Sequence, residues 1–423
     1  ACLEDEDATV RALACDALAK LSDTTVAPAL FALLDDGDGR VAQAALGAIQ
    51  SLGSNETRDL ALQASSSSNE RVRCAALRII GYFAYAEGFD VLATAIADPN
   101  ERVRDAAISG LPLFERPRAV ELLIEAARHE AVRTRTSAIR ALGQISPPEA
   151  RVLSGLHAAL EDESPWVRYY ACQALGKLGD DGATELLAAR LNDGSGQVRV
   201  AAVEALAHLR GPNAFEVLSA AVASEDPDLR RAALVALGLS KRPEALPRLL
   251  AAVTSEEVAT RLVALAALAE LGLPECVSAI ARAVEDRDEG MRVAATGFLA
   301  ARADHAATTE LIGLLQKKPQ QQALIDALGS PAPGRAEALS DALASADDVT
   351  AGALMGSLAR MGSPEAREAI RQALNSKNDA ARRASASALL ALQDQESVPA
   401  LERAALKDPD AEVRRICAAA LHT

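Results

Sequence analysis

The sequence predicts an all-α solenoid, a fold in which pairs of helices stack in a row. Three observations support this prediction. Ala and Leu dominate a chain of 423 residues that has only six Phe, four Tyr and one Trp. Ala and Leu favour helices, whereas aromatic and β-branched residues favour strands. A short motif also recurs at a fixed spacing, and each copy continues with the apolar periodicity of an amphipathic helix.

The recurring motif is a hydrophobic residue, then in most copies an Arg, one variable residue and two small residues, followed by Ala-Leu. Its copies start at Val10, Val41, Val72, Val103, Thr134, Val167, Val198, Leu229, Thr260, Met291, Ala381 and Val413. The step is 31 residues from Val10 to Thr134 and again from Val167 to Met291. The step between Thr134 and Val167 is 33 residues, and it contains Pro147-Pro148. This period predicts about 13–14 two-helix repeats.

Each motif opens the second helix of a repeat. From Val198 to Leu209, apolar residues recur at i, i+3, i+4, i+7, i+8 and i+11, which places them on one helical face. An Asp, Asn or Ser three residues before most motifs is typical of a helix N-cap. A second apolar helix, such as residues 183–191, precedes each cap. Because one helix pair cannot bury its own apolar faces, neighbouring repeats are expected to stack.

The segments Asp98-Pro-Asn-Glu-Arg-Val-Arg-Asp-Ala-Ala107 and Asp408-Pro-Asp-Ala-Glu-Val-Arg-Arg415 resemble the HEAT repeat, in the short bacterial form also found in phycobilin lyases. The resemblance covers nearly the whole chain and implies a right-handed α-α superhelix of the HEAT/armadillo type. It also implies a structural ladder, in which an Asp before each second helix and an Arg within it join adjacent repeats. The expected ladder residues are Asp98, Arg104, Asp162, Arg168, Asp193, Arg199, Asp286 and Arg292.

The regularity of the repeats predicts three regions. Residues 1–301 form a regular array, residues 302–350 a degenerate repeat that acts as a hinge, and residues 351–423 the C-terminal repeats. The segments 316–322, rich in Gln and Lys, and 329–334, rich in Pro and Gly, interrupt the pattern. Neither end carries a polar terminal repeat, so we expect a piece of a longer chain or ends covered by another chain.

Composition argues against several kinds of site. The net charge of −15 disfavours binding to nucleic acid or anionic membranes. HEAT-like deoxyhypusine hydroxylases hold iron with several His-Glu pairs, whereas here only His129 is followed by Glu. The six Cys residues have no C-x-x-C spacing, and no apolar run reaches the roughly 18 residues of a membrane span. We therefore predict no metal, no cofactor, no nucleic acid, no membrane segment, and a reducing cytoplasmic location.

Binding is expected on the concave face, which the second helices line in HEAT solenoids. Positions two, six and ten after each motif start are predicted to point outward, and in the N-terminal half they include aromatic and basic residues. Tyr, Trp and Arg are enriched at binding hot spots. The predicted protein-binding residues are Arg78, Tyr82, Arg140, Trp166, Tyr169, Gln173 and Lys177. The same positions become apolar at Val235, Leu239, Leu262, Ala266 and Val293, which indicates either a second partner surface or partial burial by curvature.

These features favour a non-catalytic scaffold or adaptor that binds another protein or a peptide segment on its concave face. The alternative, implied by the resemblance, is a subunit of a phycobilin lyase. That activity needs a tetrapyrrole, so a change of pigment absorption on mixing with a bilin distinguishes the two hypotheses.

Overall fold

A computed structural model describes residues 2–21, 24–114 and 117–420. Within these ranges the chain forms 27 α-helices and eight short 3-10 helices, and it forms no strand. Packing divides the chain into two compact units, residues 1–221 and residues 222–423.

The first unit contains fourteen α-helices. They are α1 (Ala8–Leu21), α2 (Ala27–Ala32), α3 (Gly39–Leu52), α4 (Asn55–Ala64), α5 (Glu70–Phe83), α6 (Phe89–Ala95), α7 (Glu101–Gly110), α8 (Pro117–Ala126), α9 (Val132–Leu142), α10 (Ala150–Ala159), α11 (Pro165–Leu178), α12 (Thr184–Arg190), α13 (Gly196–His208) and α14 (Pro212–Ala221).

The second unit contains thirteen further α-helices in its described residues. They are α15 (Pro227–Leu239), α16 (Leu246–Ala252), α17 (Val258–Leu271), α18 (Cys276–Ala283), α19 (Glu289–Ala301), α20 (His305–Lys317), α21 (Gln322–Leu328), α22 (Arg335–Leu343), α23 (Asp348–Met361), α24 (Pro364–Ala373), α25 (Asp379–Leu392), α26 (Val398–Lys407) and α27 (Ala411–Ala420).

Even-numbered helices are the first helices of the repeats, and odd-numbered helices are the second helices that the motif predicts. Within each unit, second helices pack against the second helices of neighbouring repeats, as α11 does against α13 and α15 against α17. The core between them consists of Ala, Leu, Ile and Val side chains. The all-α repeat fold predicted from the 31-residue period is therefore confirmed.

Most second helices begin at the predicted cap. The side chains of Asp38, Asn69 and Asn100 each accept a hydrogen bond from the amide two residues later. Ser164 and Ser195 occupy the same position, but their hydroxyl groups accept no capping bond. The prediction of side-chain capping is correct for the first three residues and wrong for these two serines.

Small residues allow second helices to approach each other closely. A Cβ atom added to Gly176 of α11 would lie 2.7 Å from the Cα of Ala205 in α13. A Cβ atom on Gly81 of α5 would lie 2.7 Å from the Cα of Gly110 in α7. Because Cβ atoms do not approach neighbouring atoms this closely, these contacts need glycine for its lack of a side chain rather than for its backbone freedom.

The irregular region 302–350 lies within the second unit and still forms helices α20, α21 and α22. Arg335 at the start of α22 is fully buried. Its guanidinium group donates hydrogen bonds of 2.6–3.4 Å to the hydroxyl of Thr308 and to the carbonyls of Ala300, Arg302, Ala327 and Ser330. These bonds join α22 to the ends of α19 and α21. The hinge across this region stays a prediction.

Candidate binding surface on the second helices

The motif arginines contact two repeats at once. Nη1 of Arg168 donates to the main-chain carbonyl of Asp162, in its own turn, at 2.7 Å. Nε and Nη2 of the same side chain each donate to a carboxylate oxygen of Asp193, in the next repeat, at 2.8 Å. Asp193 also accepts the amide of Ser195 at 2.9 Å. One Asp therefore shapes its own turn and receives the arginine of the preceding repeat.

The six-residue spacing between Asp and Arg corresponds to a main-chain contact. Arg104 donates to the carbonyl of Asp98 at 2.8 Å, while the Asp98 carboxylate accepts from Arg73 at 3.1 Å. Arg199 likewise donates to the Asp193 carbonyl at 2.9 Å, and Arg292 to the Asp286 carbonyl at 3.1 Å. The carboxylate of each ladder Asp is thus paired with an arginine about 25 residues earlier, as in Arg73–Asp98 and Arg168–Asp193.

His129 occupies the Asp position of an imperfect repeat. Its Nδ1 accepts the amide of Ala131 at 2.9 Å, as an Asp oxygen does elsewhere, and its carbonyl accepts from Arg135. Because an imidazole offers no carboxylate, Arg104 of the preceding repeat donates to the hydroxyl of Thr134 instead, at 3.1 Å. This structural placement accounts for His129 without a metal.

Electrostatics keep the ladder ionised. Burial disfavours the charged form of Asp193, but the hydrogen bonds from Arg168 and from the Ser195 amide outweigh it, so the pKa of Asp193 lies below its ordinary value. The hydrogen bond to Asp193 raises the pKa of Arg168. The donors of Arg168 are thus committed to contacts within the chain, which leaves them poorly available to an anionic ligand.

An aromatic cluster lies where α9 meets α11, and we define it as Arg140, Trp166, Tyr169, Tyr170 and Gln173. The ring centroids of Trp166 and Tyr169 are 6.1 Å apart, and those of Tyr169 and Tyr170 are 5.1 Å apart, both edge to face. The Arg140 guanidinium lies 5.3 Å from the Tyr170 ring centroid, and the Gln173 amide donates to the Tyr169 hydroxyl at 2.8 Å. Trp166 is 52% exposed.

The other predicted binding residues lie on the same set of helices but outside this cluster. Tyr82 of α5 is exposed and packs edge to face on Phe83, with ring centroids 5.0 Å apart. Arg78, one turn earlier on α5, lines a cavity beside α3 and α7. Lys177 of α11 lines a cavity of about 820 Å³ against α13. The structure therefore brings together Arg140, Trp166, Tyr169 and Gln173 and leaves the other three apart, as neighbours along the array.

A family profile described as HEAT repeats matches residues 1–64, 57–136, 123–197, 184–261, 247–329 and 336–422. The matches cover almost the whole chain, and the Arg–Asp contacts between repeats have the arrangement that the resemblance implied. This chain is a HEAT-repeat protein.

Solved HEAT-repeat structures resemble it in fold. Importin β superposes with a TM-score of 0.56 at 14% identity, covering 99% of this chain and 71% of importin β. Kap95p, whose binding induces the switch loops of RanGDP to adopt the GTP-bound conformation, gives 0.52 at 13% identity, covering 99% and 65%. The phycocyanin lyase CpcE–CpcF of Nostoc sp. PCC7120 gives 0.34 at 23% identity, covering 52% and 90%. No curated protein matches the chain in sequence.

Sequence reasoning missed three side chains on this HEAT surface. Tyr170 holds Arg140 in place, and Arg71 and Arg102 line the cavity that also contains Arg78. Arg71 and Arg102 stand immediately before the motif's first residue, as do Arg40 and Arg133, so the four recur every 31 residues. That repeat was the signal available in the sequence.

In the second unit, the predicted apolar positions are largely accessible. Val235 of α15, Leu239 of α15 and Val293 of α19 are exposed, whereas Leu262 of α17 is half-buried. In the described part of this HEAT-repeat protein, no group of three or more His, Cys, Asp or Glu residues could hold a metal ion. No described helix has the length and hydropathy needed to cross a membrane.

Proposed function

We propose that this HEAT-repeat protein is a binding scaffold without a catalytic step, and that the aromatic cluster on α9 and α11 is the centre of its protein-binding surface. The observation that carries the proposal is the exposed Trp166, fixed edge to face against Tyr169 on a scaffold otherwise rich in Ala and Leu. The fold is compatible with this role, since Kap95p, a similar structure, binds RanGDP.

The geometry of the cluster favours tight contact. Trp and Tyr offer large contact areas with few rotatable bonds, and hot spots at interfaces are enriched in Trp, Tyr and Arg. Here Tyr169 is held by its ring neighbours and by Gln173 before any partner arrives. Because these side chains are already ordered, less conformational entropy is lost when a partner binds.

Charge suggests the chemistry of the partner. Although the chain carries a net charge of −15, Arg140 and Lys177 point from this surface, and Arg78 lies further along it. A local basic surface on an acidic protein attracts an acidic segment and repels other copies of the same chain. We propose an extended, acidic protein segment as the ligand, met in the cytoplasm, where the six free cysteines would remain reduced.

The experiment is affinity purification with the full chain, followed by mass spectrometry and measurement of the dissociation constant of the partner found. Replacing Arg140 and Tyr169 together by Ala should raise this constant by tenfold or more, at about 1.4 kcal/mol per factor of ten. Arg118→Ala is the matched control, because Arg118 lies 5.8 Å from the Phe89 ring centroid on the first helix α8. Unchanged affinity in the double variant would remove the cluster from the binding surface.

A spectroscopic arm tests the lyase alternative directly. Mixing the chain with a bilin should leave the pigment absorption spectrum unchanged if the chain is a scaffold. A shift of the pigment band that the Arg140→Ala/Tyr169→Ala variant loses would reassign the cluster to a tetrapyrrole.

A further inference from the structure

A second feature of the same surface lies between α3, α5 and α7, and we call it the arginine groove. It is a cavity of about 420 Å³ whose lining includes Arg71, Arg78, Arg102 and Arg133. These side chains come from the second helices of three successive repeats. A single amino-acid side chain occupies far less than this volume, so the groove can admit several side chains of an extended segment.

Three of the four arginines lack an internal partner. Arg133 is held by Asp105 and, at 3.1 Å, by Glu101. Within the part of the chain that the structure describes, the guanidinium groups of Arg71, Arg78 and Arg102 make no hydrogen bond and no ion pair. This differs from the ladder arginines, whose donors are bonded to carboxylates and carbonyls. The three side chains therefore present unused, charged donors to one cavity.

The acidic residues of the groove do not neutralise these arginines. Asp105 accepts from Arg133 and, at 2.8 Å, from the hydroxyl of Ser137. Glu70 accepts from the side-chain amide of Asn100. Both carboxylates are thus engaged by other donors, and the groove keeps an excess of positive charge.

We propose that the arginine groove binds the oxyanion side chains of the protein partner, either a run of carboxylates or a phosphoryl group on Ser or Thr. This inference rests on the proposed function and adds the chemical group that the partner must carry. Arg presents a planar fork of donors that matches carboxylate and phosphate oxygens, and such charge-assisted bonds are about twice as strong as neutral ones. Each of the three guanidinium groups can engage an oxygen of the ligand without breaking an existing contact.

The test uses the full chain and three peptides of equal length: hexaglutamate, a Gly-Ser peptide with one phosphoserine, and the unmodified Gly-Ser peptide. Fluorescence anisotropy should show binding of at least one anionic peptide and none of the neutral one. Affinity should fall as salt rises, because the screening length drops from about 10 Å at 0.1 M to 3 Å at 1 M. The ranking of the two anionic peptides identifies the source of the oxyanion.

The variant Arg71→Ala/Arg102→Ala should raise the dissociation constant of the anionic peptide at least tenfold. Arg40→Ala is the matched control, since Arg40 has the same repeat position but is paired with Asp38 at 2.7 Å and does not line the groove. Equal binding by the neutral peptide, an unaffected double variant, or an equal loss in Arg40→Ala would overturn the inference.

A further variant separates this inference from the proposed function. The Arg140→Ala/Tyr169→Ala protein should still bind the anionic peptide, because neither residue lines the groove. If the natural partner loses affinity for that variant but not for Arg71→Ala/Arg102→Ala, the proposed function stands and the groove assignment fails.

Discussion

Arg335 provides the most quantitative test of how the irregular repeat is held together. The variant Arg335→Met keeps an apolar stem of similar length and removes the guanidinium group. It deprives one hydroxyl and four main-chain carbonyls of the donor that reaches them in the native protein. All of these acceptors lie in or beside the segment 302–350, so the effect should be local.

The magnitude follows from two opposing effects. Each acceptor left unsatisfied in the interior costs about 1–3 kcal/mol. Burial, however, lowers the pKa of Arg335, which shows that the charged side chain itself is disfavoured there, and the variant is relieved of that cost. Breaking a buried, fully bonded charge costs about 3–5 kcal/mol as a net value. At 1.36 kcal/mol per factor of ten, amides of 302–350 should exchange roughly 150 to 5000 times faster.

Hydrogen exchange with peptide-level mass spectrometry measures this directly, with the exposed Arg367→Met as the control. Unchanged protection of 302–350 in the Arg335 variant would refute the reasoning. The same data test the predicted hinge: faster exchange across 302–350 than across 167–300 in the native protein supports it, and equal protection contradicts it.

Three other perturbations follow from the packing of the repeats. Urea denaturation should show a greater loss of stability for Arg168→Ala, about 3–5 kcal/mol, than for Arg104→Ala, about 1–3 kcal/mol, because only the former leaves a carboxylate of the next repeat unpaired; equal losses would contradict the ladder geometry. Gly176→Ala forces a methyl group against the neighbouring helix and should cost about 1–3 kcal/mol, whereas Gly47→Ala, which meets nothing within 4 Å, should stabilise its helix by about 0.5–1 kcal/mol. A hydrogen bond from an arginine lowers the pKa of Asp36 in the folded state, so its contribution is present above the ordinary carboxyl pKa and is lost as the pH falls below about 4; melting temperatures that do not fall between pH 5 and pH 3 would argue against this.

The helices were predictable because local signals agree with the global fold. The 31-residue spacing, the caps and the apolar periodicity of each second helix all derive from neighbours within one repeat. Arg335 was not predictable in the same way, since its acceptors include carbonyls up to 35 residues away and no side-chain pattern marks a carbonyl. The ladder shows the same limit, because a fixed six-residue spacing does not say whether the Asp98 carbonyl or its carboxylate is the acceptor.

The candidate site was only partly predictable for a related reason. Outward positions follow from helical geometry, so Tyr169 and Gln173 could be placed on one face of α11. The contact between Arg140 and Tyr170 depends on how two helices pack, which the sequence of either helix does not contain. The freedom of Arg71 and Arg102 depends on which nearby carboxylates are already occupied, and that becomes known only when all partners are placed.

The two-way contact of each motif arginine makes the array editable in whole repeats. Excising residues 167–197 removes Arg168 together with Asp193, its carboxylate partner, so no charge is orphaned. Arg199 then stands six residues after Asp162, where it can reach the carbonyl that Arg168 used. A deletion of any other length separates donors from acceptors along the whole downstream seam. Gains and losses of complete 31-residue modules are therefore the changes of length that such a chain tolerates best, and a binding surface can be lengthened or shortened without redesigning its supports.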